Sequence, residues 1–416
     1  MKFIHIADLH LGKYVHGYSM IENQDQVFWI DEFIKLVEQE KVDAVLMAGD
    51  IYDRSIAPKE AIKLFDYFVT LLVKLGVEVC IIAGNHDSGA RLASMSSILK
   101  EHKVHIVGDI TKEVEKVVFE DAYGKVNVYL VPYLFPVAVE QVLGGKYEDY
   151  NEAMKALLDA QDIDYSMRNI LVSHQLVTVM GDEPEKGGSE EMVGGVGGID
   201  VSVYESFDYV ALGHIHASQK VKYNYIRYAG SNLCYHFDEL KKPKKGPLVV
   251  EIKEKGNIDI QQREIKPLHS LRQVEGTLEQ IIEEEKNIME CNQYVRVVLK
   301  DDYVPVGALN QLETLFSSKN SLLMETAHVP SRIVNHGVTS NEHIEELSVH
   351  DAFVEFYKEK NNGDYPDSVD SKIIEYICSQ IEGSEDGKID ELSTDQLVKF
   401  VMEMGDELDE TIEIDN

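Results

Sequence analysis

With 44% hydrophobic and 27% charged residues among 416, the chain has the composition of a soluble globular protein long enough for two or three domains. Its net charge of −34, from 40 Lys+Arg against 74 Asp+Glu, argues against a large basic nucleic-acid surface, and no apolar run approaches the roughly 18 residues of a membrane span. Cys80, Cys234, Cys291 and Cys378 are scattered without paired spacing, which argues against a disulfide framework and for a reducing cytoplasm.

The apolar run at residues 1–6 is too short for a signal peptide and reads as the start of a strand over 2–7. Strands are expected next at 44–48, 77–83, 126–131, 170–173 and 209–212. Helical stretches fill 24–40 and 58–75, the second with Ile62, Phe65, Val69 and Leu72 at helical spacing. Strand–helix–strand alternation predicts an α/β domain. Strands follow at 225–229, 248–252 and 258–265, the last after the turn Lys255-Gly256-Asn257.

A boundary falls near Pro267. Beyond it a small βαβ-like unit is expected: strand 294–299, helix about 305–317, strand 322–327. After a second boundary near 340 come three amphipathic helices. Their stripes are Val349, Phe353, Phe356 and Tyr357, then Ile373, Ile374, Ile377 and Ile381, then Leu397, Val401, Met404 and Leu408; Ser348 with Asp351 forms a capping box. The division is 1–268, 269–340 and 341–416. Residues 351–416 carry 5 basic and 20 acidic residues. Residues 201–270 carry 11 basic and 8 acidic ones, including Lys241-Lys242-Pro243-Lys244-Lys245, a candidate local basic rim.

The chemistry-bearing residues form an ordered series: Asp8-Leu9-His10, Gly49-Asp50, Gly84-Asn85-His86, His174 and Gly213-His214-Ile215-His216. Each motif stands where a predicted strand ends, and the carboxyl ends of strands form the ligand crevice of α/β sheets. In extended chain Asp8 and His10 would project to one side, as would His214 and His216. The glycines before Asp50, Asn85 and His214 permit tight turns and close approach. Taken singly, each motif is weak: an Asp-x-His is usually a surface turn, and a lone histidine such as His174 is usually a satisfied core residue. Together they supply seven oxygen or imidazole ligands plus one spare histidine. A mixed N/O set without thiolate suits manganese, iron, zinc or magnesium. A carboxylate shared by two metals about 3.5–4 Å apart sets up in-line attack on a phosphate ester. His5 and Trp29 are expected to pack.

Those motifs resemble the calcineurin-like metallophosphoesterases. Ala7-Asp8-Leu9-His10-Leu11-Gly12, Ala48-Gly49-Asp50-Ile51-Tyr52-Asp53, Ala83-Gly84-Asn85-His86-Asp87-Ser88, Ala211-Leu212-Gly213-His214-Ile215-His216, Tyr228-Ala229-Gly230-Ser231 and Phe237-Asp238-Glu239 look like the SbcD-type DNA repair nuclease subunits in particular. The resemblance implies a four-layer α/β/β/α sandwich with a small α+β cap and a helical, partner-binding tail. It implies two divalent ions, Mn2+ foremost, with Asp8, His10, Asp50 and His216 on one and Asp50, Asn85, His174 and His214 on the other. His86 would face the scissile phosphate. The implied partners are an SbcC-type ATPase and DNA (duplex ends, hairpins, single strands), with a homodimer inside a heterotetramer, in the cytoplasm and without a membrane. Asp53, where some relatives have histidine, keeps no assigned role, and Asn232 replaces a common proline.

The chain lacks a phosphate-binding G-x-x-x-x-G-K-[ST] loop; Gly144-Gly145-Lys146 is followed by Tyr147, so ATP dependence belongs to another chain. Two other readings compete with a nuclease: a stand-alone phosphodiesterase on nucleotides, and an idle scaffold for the ATPase. The extra modules after residue 270 disfavour the first and the complete ligand set disfavours the second.

Overall fold

The computed structural model describes residues 1–185, 198–241, 245–329 and 354. The expected tail helices with their stripes and the Ser348/Asp351 cap, most of the glycine-rich loop at 181–198, and residues 242–244 lie outside the described residues.

Two six-stranded sheets face each other. Across the first run Ile258–Gln262, Leu248–Ile252, Lys2–Ile6, Ala44–Ala48, Glu78–Ile82 and Val104–Val107. Across the second run Gln219–Val221, Tyr223–Tyr228, Tyr209–Gly213, Arg168–His174, Gly124–Val131 and Glu115–Asp121. The central strands pair in parallel and the edge hairpins antiparallel. A parallel strand covered on both faces must be apolar throughout, and Ala44–Ala48 is buried at every position. Its Leu46 meets the facing sheet, with Phe3, Ile82, Val128, Ile170 and Tyr209. Its Val45 and Met47 meet the helices Asp25–Glu40 and Lys59–Leu75 through Phe33, Phe68 and Leu72. The outer face of the second sheet is covered by helix Tyr150–Asp159 through Met154 and Leu157. The result is the four-layer α/β/β/α sandwich.

Helix Lys59–Leu75 ends at Gly76, whose φ of 76° suits a left-handed cap. Its buried face is Ala61, Leu64, Phe65, Phe68, Val69 and Leu72; Ile62, expected in that stripe, is 51% exposed. Trp29 is buried and stacks on Phe33, and the His5 ring lies against the Tyr209 hydroxyl (2.9 Å).

Strands Ser270–Gly276, Gln293–Leu299 and Leu322–His328 form a separate parallel sheet with helices Leu278–Glu285 and Ala308–Ser317. It has its own small core around Ile281, Val295, Val297, Leu312 and Phe316. The sequence showed only its last two strands and second helix. Ser270–Gly276 is only half-buried, and Leu278–Glu285 buries just Leu278 and Ile281 among its apolar residues, so their signal is weak. This unit is gripped by Asp25 at the start of the first long helix. The buried Asp25 carboxylate accepts from the Tyr294 hydroxyl and lies 3.0 Å from His269 Nδ1.

Candidate metal centre

All seven expected ligands and His86 converge at the carboxyl ends of strands from both sheets. Asp8 and His10 follow Lys2–Ile6, Asp50 follows Ala44–Ala48, and Asn85 and His86 follow Glu78–Ile82. His174 ends Arg168–His174, and His214 and His216 follow Tyr209–Gly213. Three sets of potential ligand atoms each lie within 4.8 Å of one another: Asp8/His10/His216, His10/Asp50/His86 and Asp8/Asp50/His174. Asp50 Oδ2 stands between His174 Nε2 (3.3 Å) and His10 Nε2 (3.7 Å). Asn85 Oδ1 stands between His174 Nε2 (3.0 Å) and His214 Nδ1 (3.1 Å).

The convergence does not come from extended chain, as the i, i+2 spacing suggested. Asp8, His10, Asp50 and His214 have φ of 53°, 43°, 51° and 98°, so left-handed turns aim these side chains. Non-glycine residues held there carry strain of order 1–3 kcal/mol, which collects at functional sites. The glycine expectation holds as close approach. A Cβ on Gly84 would sit 2.1 Å from Asp50 Oδ1, and one on Gly213 would sit 1.9 Å from the Ala48 carbonyl.

The donor set fits divalent cations. His10 Nε2 and His216 Nε2 are 3.0 Å apart in a buried place, where two neutral imidazoles need a proton or a cation between them. Asp8 Oδ2 is buried without a hydrogen-bond partner. His174 Nδ1 donates to the Ala48 carbonyl (2.7 Å), so Nε2 is the nitrogen turned toward the centre, and its lone pair becomes available when a cation takes the place of its proton. Burial raises the Asp8 carboxyl to about 6 and lowers His10 well below the usual imidazole value. Burial also opposes the Asp50–His174 ion pair, but their mutual attraction wins: Asp50 is held well below the carboxylate range and His174 is raised to about 9.

His86 is half-buried and edge-on to His10; its Nδ1 donates to the Asp53 carbonyl (3.0 Å). The Asp53 carboxylate faces Lys13 Nζ (2.8 Å) and His10 Nδ1 (3.6 Å).

Several supporting residues have roles that the sequence did not reveal. Gln26 donates to the Leu9 and His10 carbonyls (3.2 and 2.8 Å) and accepts from the Gly12 amide (3.0 Å), bracing the first turn. The Asp87 carboxylate ties two ligand loops by accepting from the amides of Gly84, Ile51 and Tyr52 (2.9, 3.0 and 2.9 Å). Asn232 donates to the Ala7 carbonyl (2.9 Å), a bond that proline could not make. Lys245, read as part of a basic rim, is instead buried and paired with Glu239.

Comparison with known proteins agrees with this geometry. Residues 1–218 match the calcineurin-like phosphoesterase family, and residues 267–361 match the type 5 capsule protein repressor C-terminal domain. The chain is 30% identical over 390 residues to the SbcD component of nuclease SbcCD from Staphylococcus saprophyticus, covering 92% of this chain and 100% of that one. It is also 30% identical over 298 residues to the protein of the same name in Staphylococcus epidermidis, covering 71% and 77%. Among solved structures, TT1561 of Thermus thermophilus overlaps 63% of this chain and 98% of its own at 11% identity and a TM-score of 0.35, too loose a likeness to add to the argument. The chain therefore belongs to the calcineurin-like phosphoesterases, and within them to the SbcD-type nuclease subunits.

Proposed function

We propose that the chain is a two-metal phosphodiester hydrolase that cuts DNA, as an exonuclease on duplex ends and an endonuclease on hairpins and single strands. It works with an SbcC-type ATPase in DNA repair and recombination. The observation that carries the reading is the single buried Asp50 oxygen shared by His10 and His174, one histidine from each ligand set. Asp8, His10, Asp50 and His216 would hold one ion and Asp50, Asn85, His174 and His214 the other; the N/O donor set suits manganese, iron, zinc or magnesium, and kinship with the SbcD-type subunits favours Mn2+ among them. Such ions supply charge neutralisation for the phosphate oxygens and activation of a water.

The chain's own residues do the rest. Gln26 and Asp87 hold the ligand loops, so the donors need no reorganisation on substrate binding. His86 keeps Nδ1 on the Asp53 carbonyl and presents its other nitrogen to the phosphate, where it steadies the phosphoryl oxygens or protonates the departing alkoxide. Residues 1–268 form the nuclease domain, 269–340 a DNA-facing cap, and 341–416 a tail that binds the ATPase. The working assembly contains two copies of this chain with the ATPase, in the cytoplasm; among the described residues no helix is long and apolar enough to cross a membrane.

The test is cleavage of blunt duplex, hairpin and single-stranded DNA by the purified chain in Mn2+, with and without the ATPase. Manganese-dependent cutting that a chelator abolishes is expected, extended to duplex ends by the ATPase and ATP. Hydrolysis of mononucleotide diesters with no cutting of any DNA would replace this reading with a stand-alone phosphodiesterase. Metal binding without hydrolysis would replace it with a scaffold.

A further inference from the structure

His216 turns one ring edge to the metal centre and the other to a buried acid. Its Nε2 lies 3.0 Å from His10 Nε2, while its Nδ1 faces Glu239 Oε1 at 3.7 Å. Glu239 is only 1% exposed, in the short helical turn Phe237–Lys241. Its second oxygen is bound by Lys245 Nζ at 2.6 Å. Lys245 also donates to the His216 carbonyl (2.8 Å) and to Ser231 Oγ (2.6 Å). An ammonium has three protons, and here each has an acceptor. His10 repeats the pattern: Nδ1 faces Asp53, and Asp53 is held by Lys13. His174 differs, since a neutral backbone carbonyl backs its Nδ1.

A buried ion pair is a poor way to hold a loop. Desolvation offsets most of its attraction, and an apolar pair of similar volume often serves stability better. Its location behind a ligand gives it a different use. A carboxylate on the far nitrogen of an imidazole selects the tautomer that leaves the near nitrogen free, orients the ring, and makes it a stronger donor. We propose that Glu239, held in place by Lys245, is a positioning residue that orients and strengthens His216 as a metal ligand. This rests on the reading of His216 as a ligand. Lys245 supplies the second half of the device: by binding both Glu239 and the His216 carbonyl, it ties the acid and the ligand it serves to one point.

The test is calorimetric titration of Mn2+ into the full-length, metal-stripped chain, with thermal melting of the metal-free protein alongside. Glu239→Gln keeps an acceptor for Lys245 and removes the charge. The double variant E239Q/K245M removes both charges, so no unpaired ion is left buried and the fold is preserved if the single variant is not. The expected result is a loss of roughly 10–100-fold in affinity for one equivalent of metal in both variants. Melting of the double variant stays near wild type. Wild-type affinity in a folded E239Q/K245M protein would overturn the proposal and leave the pair as a loop anchor. His216→Ala separates the two levels of the argument. If it loses that equivalent while E239Q/K245M keeps it, only the positioning role fails. If His216→Ala binds both equivalents as wild type does, the assignment of His216 as a ligand fails with it.

Discussion

His86 sits within reach of His10 and Asp50, yet the proposed function gives it a different role from theirs. It is half-buried, and its Nδ1 is already committed to the Asp53 carbonyl. His86→Ala is expected to keep metal content near wild type while turnover falls by roughly 10²–10⁴-fold, the range of a positioned acid–base group. Elemental analysis alongside single-turnover kinetics reads this; loss of metal would make His86 a ligand. At this scale the site was legible because its residues are distinctive types at strand ends, with glycines where backbones must close together. The residues behind them were not. Gln26 acts on a backbone amide and carbonyls, which any loop has, so nothing in the sequence marks it; Asp87 stands inside a recognised motif, but its work on backbone amides gave no sign of its role. Lys245 misled, because charge composition cannot distinguish a solvated rim from a buried pair.

Among elements, the central strands were legible because burial on both faces makes them continuous apolar runs. Edge strand Glu115–Asp121 was not: its Val118 is 49% exposed and its polar residues interrupt the run. That strand nevertheless fastens the sheet. Asp121 accepts from Arg168 at 2.5 and 3.1 Å, and buried Arg168 also donates to the Lys253 and Gly124 carbonyls (2.6 and 2.7 Å). The Arg168 guanidinium holds the Asp121 carboxyl well below its usual range. A depressed carboxylate contributes stability above its unfolded pKa of about 3.9 and loses it as pH falls further. Asp121→Asn is therefore expected to destabilise at pH 7 by about 1–2 kcal/mol, a figure for charge-assisted contacts from Arg168 and the Met1 ammonium discounted because the acid is partly solvated. Denaturant midpoints of variant and wild type should begin to converge as pH falls below about 4 and go on converging as pH falls toward the depressed folded-state value. A gap that stays constant with pH would assign the loss to packing.

On the scale of the whole molecule, a chain of net charge −34 must approach an anionic polymer. Bound cations and a partner would supply the positive field that the chain lacks. Truncation at about residue 340 keeps every proposed ligand. It is expected to preserve manganese-dependent hydrolysis of small phosphodiesters while abolishing co-elution with the ATPase; co-elution at unchanged affinity would move docking elsewhere. An α/β domain was readable from strand–helix alternation and the two-sheet arrangement only from the family resemblance, whereas the grip of Asp25 on His269 and Tyr294 joins residues too distant in sequence to be paired by pattern. The account as a whole stands on Asp50 as the oxygen shared by two ions. Its most direct test is the manganese content of purified wild type and Asp50→Ala by elemental analysis. Two equivalents per chain, both lost in the variant together with hydrolysis, is the predicted result, because removing the bridge leaves two cations repelling at close range. Retention of two tightly bound ions by Asp50→Ala would contradict it.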